Sequence, residues 1–77
     1  MIDYATGRMQ WLRTQLEDGW RLEGPVIERA VYLGPHDRVS AFEFMLRHER
    51  GCQVLAINDC PEVRNFLDER HLDCIAI

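Results

Sequence analysis

Cys60 is the residue whose setting most suggests chemistry. It stands in Asn58-Asp59-Cys60-Pro61-Glu62, at the start of a run that reads as a helix. A thiol at a helix N-terminus meets free amides and the positive end of the dipole, which favour the nucleophilic thiolate. A thiol enzyme or redox sensor is therefore one reading of Cys60; a capping or packing role is the other, because no resolving cysteine lies two or three residues away. His48 and Cys52 are expected to face each other across a hairpin. With Cys60, His71 or Cys74 they sketch a zinc site, but structural zinc sites usually show short paired spacings such as C-x2-4-C, and the chain has none. No metal is expected.

The adjacent carboxylates Glu17/Asp18 and Asp68/Glu69 fall on different sides of their helices and read as solvated faces. His36, in a turn beside Asp37, reads the same way. There is no nucleophile elbow, no phosphate loop and no serine–histidine–aspartate arrangement. A chain of 77 residues also has little room for a pocket of the usual ~300 Å3 or more. The expectation is a protein that is not an enzyme, with no cofactor and no small-molecule ligand implied.

The length fits one domain, residues 1–77, and the composition is that of an ordinary globular chain. Net charge is -4, with no block of like charges, which disfavours phosphate backbones as partners. All nine cations are arginine, a sign of genome composition bias that also equips each for bidentate pairing. A nucleic-acid-associated regulator using Arg8, Arg47, Arg50 and Arg64 is the alternative that charge leaves open. The first fifteen residues lack the apolar run of a signal peptide, and no stretch approaches the ~20 apolar residues of a membrane span. Three cysteines without paired spacing point to a cytoplasmic protein with reduced thiols.

The elements follow from periodicity. Ala5, Met9, Leu12 and Leu16 recur at helical spacing, giving a helix over Asp3–Asp18 with Asp3 as cap and Gly19 as stop. Tyr4 and Trp11 flank that stripe, either widening the buried face or forming a half-exposed aromatic seam for a partner. Trp20 is a core anchor folded back on the helix end, with Leu22 beside it. Strands are expected over Val26–Leu33, Val39–His48 and Cys52–Ile57, with turns at Gly34–Arg38 and Glu49–Gly51. A second helix starts at Asp59, with Glu62 completing a capping-box-like pattern, and buries Val63, Phe66 and Leu67. A short strand after Leu72, parallel to a neighbour, closes the chain. The fold class is α+β in the order α-β-β-β-α(-β): a three-stranded antiparallel meander with two helices on one face.

Register divides the sheet. Pairing Leu33 with Val39 and His48 with Cys52 collects Val26, Ala30, Tyr32, Phe42, Phe44, Leu46, Val54 and Ala56 on one face, with Glu28 the charged intruder. The other face takes Ile27, Val31, Leu33, Ala41, Met45, Leu55 and Ile57, with Arg29 opposite Glu43. A two-residue loop would shift the last strand by one. With both helices on one side, Ile27, Val31, Met45, Leu55 and Ile57 make an apolar patch that a monomer rarely leaves in water; the C-terminal segment or the Trp20 loop folding over it is the alternative to a partner. The expected role is a protein-interaction module, a homodimer or a complex with another protein, with Arg29 and Glu43 inside the interface.

The stretch Leu16-Glu17-Asp18-Gly19-Trp20-Arg21-Leu22, a helix ending in Gly-Trp before a meander, resembles small bacterial domains of unknown function. Pro61-Glu62-Val63-Arg64-Asn65-Phe66-Leu67 has a similar flavour. The resemblance spans about half the chain; it implies an α+β fold and a bacterial source, and carries over no functional residue. The order of elements is also similar to the double-stranded RNA-binding fold, but the helix end that would meet phosphates carries Asp59 and Glu62 rather than basic residues.

Overall fold

The computed structural model describes residues 4–77, with side chains from Thr6 onward. The elements are α1 (Tyr4–Glu17), β1 (Arg21–Leu22), β2 (Val26–Gly34), β3 (Asp37–His48), β4 (Gly51–Asn58), α2 (Pro61–Glu69) and β5 (Cys74–Ala76). This is the expected α+β order with one addition, the two-residue β1. β3 is the central strand. β4 runs antiparallel along one of its edges, while β2 and β1 share the other. β5 pairs parallel to β2 at Val26–Glu28, as the crossover through α2 predicts.

The core lies between the sheet and both helices. Met9 and Leu12 of α1 and Val63, Phe66 and Leu67 of α2 bury against Phe42, Phe44, Leu46, Leu55 and Ile57. Phe44 meets Phe66 edge-on, with centroids 5.8 Å apart. Leu16 and Leu22 pack at the margin. The proposed cap Asp3, and the side chains of Tyr4 and Ala5, lie outside the described residues.

α1 ends where Gly19 takes φ 97°. The turn brings the Trp20 amide back onto the Gln15 carbonyl at 3.0 Å. Trp20 is buried, and its ring meets His48 at 4.9 Å. An L side chain at that φ costs about 1–2 kcal/mol. Gly19→Ala should lower stability by that amount in urea titrations, although a Cβ there would find room against His48.

Three expectations about local structure are corrected. The first concerns the second hairpin, whose loop has two residues, Glu49-Arg50, so that His48 pairs with Gly51 and Phe42 with Ile57. Neither loop residue has a positive φ; the twist falls on Gly51 at φ 136°, and His48 Nδ1 accepts the Arg50 amide. β4 is therefore turned over. Leu55 and Ile57 are 9% and 0% exposed in the core, while Val54 is 62% exposed on the outer face with Ala56. The reason is area. Leu55 and Ile57 bury eight side-chain carbons where Val54 and Ala56 would bury four, a difference of roughly 3 kcal/mol at about 0.8 kcal/mol per methylene. The second correction is at α2, where the N-cap is Cys60 and makes no side-chain capping bond. Asp59 is instead gripped by Arg64 through two hydrogen bonds of 2.9 Å, and Glu62 accepts the Thr6 hydroxyl.

The first hairpin is also displaced, with Val31 rather than Leu33 opposite Val39 and an irregularity between Tyr32 and Gly34. A shift of two preserves the faces, since side chains alternate with period two.

Candidate functional site: the uncovered sheet face

The side of the sheet opposite the helices is built by β2, β3, β4 and β5 together. Strand alternation puts Ile27 and Val31 of β2, Val39 and Met45 of β3, Val54 of β4 and Ile75 of β5 on it. Met45, Val54 and Ile75 are 45%, 62% and 50% exposed. Ile27, Val31 and Val39 are half-buried by their neighbours, and the small Ala41 is buried among them.

One ion pair is set into this surface. Arg29 Nε lies 2.5 Å from Glu43 Oε1. The two are diagonal neighbours, not direct partners: Arg29 pairs with Ala41 and Glu43 with Ile27. At the rim, Arg47 of β3 donates to Glu23, the residue after β1. The face is thus an apolar field bearing both signs of charge.

Of the expected interface residues, Ile27, Val31, Met45, Arg29 and Glu43 lie on this face, and Leu55 and Ile57 do not. Val54, Val39 and Ile75 take part instead. Val39 and Ile75 follow from carrying the alternation through the first turn and into β5. Val54 follows only once the loop length is known.

The other candidates are scattered. Cys60 is half-buried and packs against the core at the start of α2. Cys74 is exposed on β5, yet burial of its sulfur pushes the thiol up, and Glu28 adds to the effect. His48 and Cys52 do not face each other: Cys52 pairs with Arg47 on the outer side, and His48 lies against Trp20. Among the described residues no three His, Cys, Asp or Glu side chains converge as a metal site, and no helix is long and apolar enough to cross a membrane. The Arg64 guanidinium holds the Asp59 carboxyl below the usual carboxylate range, and also lies 5.0 Å over the Phe42 ring.

No family model matches the chain, and no curated protein or solved structure does either.

Proposed function

We propose that this chain is a small protein-interaction module that pairs with a second copy of itself through the uncovered sheet face, in a cytoplasmic, thiol-reducing setting. The observation that carries the reading is the exposed apolar stripe of Met45, Val54 and Ile75, continuous with Ile27 and Val31, on a sheet whose helices both lie on the other side. Burying such a stripe is favourable by about 25 cal/mol per Å2. A second copy suits it because a two-fold interface must be complementary to itself. Arg29 and Glu43 supply both charges from one surface, so two related faces can exchange partners without a foreign acidic or basic patch. The nucleic-acid reading has less support: Arg47 and Arg64 are engaged by Glu23 and Asp59.

Sedimentation equilibrium tests the proposal. The wild-type chain is expected to weigh as a dimer at micromolar concentration, and Met45→Glu as a monomer that keeps its far-UV circular dichroism. A wild-type chain that stays monomeric at high concentration would sink the reading.

A further inference from the structure

The uncovered sheet face carries opposite charges at its two ends. The register of β1 on β3 sets Leu22 beside Leu46 on the core side, and so puts Arg21 directly across from Arg47 on the outer side. Like charges facing each other across a ladder cost stability. Glu23 engages Arg47 and leaves Arg21 unanswered: among the described residues Arg21 enters no ion pair. At the other end of β3, the alternation through Met45 and Val39 brings Asp37 to the same face, where it pairs with Gly34 across the first hairpin. Asp37 is exposed and also enters no ion pair. The length of β3, about 34 Å from Asp37 to Arg47, separates the excess cation from the excess anion.

Such a face can meet a copy of itself in two ways. Aligned sheets keep their strand directions within about 30° of each other, and a two-fold axis between them runs either along the strands or across them. An axis along the strands lays like ends together. Arg21 and Arg47 of one copy then meet the same two residues of the other, four guanidinia with only the two Glu23 carboxylates among them. An axis across the strands lays each end on the opposite one. The arginine end then meets Asp37. Met45, the next residue in from Arg47 on this face, meets Val39, the next in from Asp37, so that apolar surface covers apolar surface. Charge pattern of this kind fixes orientation and suppresses the wrong arrangement more than it adds affinity.

We infer that the second copy docks with its β3 antiparallel to the first, about a two-fold axis across the strands, so that Arg21 and Arg47 receive the partner's Asp37. The inference rests on the self-association proposed above and adds the orientation of the partner and the residues that select it. The guanidinium of Arg21 is long enough to reach across, and its planar fork suits a carboxylate.

The test is a charge exchange followed by sedimentation equilibrium. Arg21→Glu should keep the fold, since a carboxylate opposite Arg47 turns a repulsive cross-strand pair into an attractive one. The new carboxylate faces the partner's Asp37, however, and the dimer Kd should rise by about tenfold or more. Asp37→Arg should weaken the dimer in the same way from the other end. An equimolar mixture of the two variants should regain wild-type affinity, because in the mixed dimer each new charge faces its complement and the other contact is the native one. Should Asp37→Arg disturb the first hairpin, which far-UV circular dichroism reports, Asp37→Asn replaces it: added to Arg21→Glu, it should tighten the weakened dimer. Arg21→Glu dimerising as tightly as wild type or more tightly is the result that like ends meeting would give, and it would overturn the inference. A mixture no tighter than its two components would overturn it as well. Both of those results leave the wild-type dimer standing, whereas a wild-type chain that stays monomeric removes the self-association and this orientation together.

Discussion

Phe44→Ala is expected to leave most of the chain unfolded at 25 °C. Phe44 is wholly buried on β3, paired with Leu55 of β4 and edge-on to Phe66 of α2. Truncating a buried phenylalanine costs about 3–5 kcal/mol through lost transfer energy and the cavity left behind. The edge-on contact with Phe66 adds about 0.5–1.5 kcal/mol. Against this, the core of a domain under ~70–80 residues rarely supplies more than about 3–5 kcal/mol. Far-UV circular dichroism across a urea titration should show no native baseline for Phe44→Ala. A cooperative transition within about 1 kcal/mol of wild type would mean that the core is not organised around this ring.

The second large effect separates two neighbours on one strand. Ile57→Asp should abolish folding, because a carboxylate at a fully buried position costs several kcal/mol with no partner to offset it. Val54→Asp, three residues earlier, should leave the dilute chain folded and within about 0.5–1 kcal/mol of wild type, since Val54 is exposed. Urea midpoints of the two variants, measured at low protein concentration, decide the matter. The opposite ranking would restore the three-residue loop and return Leu55 and Ile57 to the outer face.

That contrast shows where the sequence was legible. The helix stripes were, because Met9 and Leu12, and Val63, Phe66 and Leu67, repeat at a period only a helix satisfies. Trp20 was, because a large ring just after a helix-stopping glycine has one nearby place to go. The Arg29–Glu43 pair survived a register error of two residues, since such an error slides side chains along a face without changing it. The second hairpin did not survive an error of one. Its loop length depended on whether Gly51 belonged to the turn or to the strand, and local composition is nearly silent on that. Comparing the carbon buried by Leu55 and Ile57 with that buried by Val54 and Ala56 would have supplied the missing signal. β1 was invisible because two residues have no periodicity.

Arg8 of α1 donates to the Ala56 carbonyl, on a strand whose one sheet partner among the described residues is β3. That strand, Gly51–Asn58, has no proline and no charged side chain, the devices by which exposed edges usually resist further pairing. α1 therefore serves as a guard as well as a lid on the core. Conditions that fray the helix while the sheet persists would bare an eight-residue template of fibril-forming character. Storage and expression of this protein should accordingly be limited by aggregation at β4 before global melting sets in.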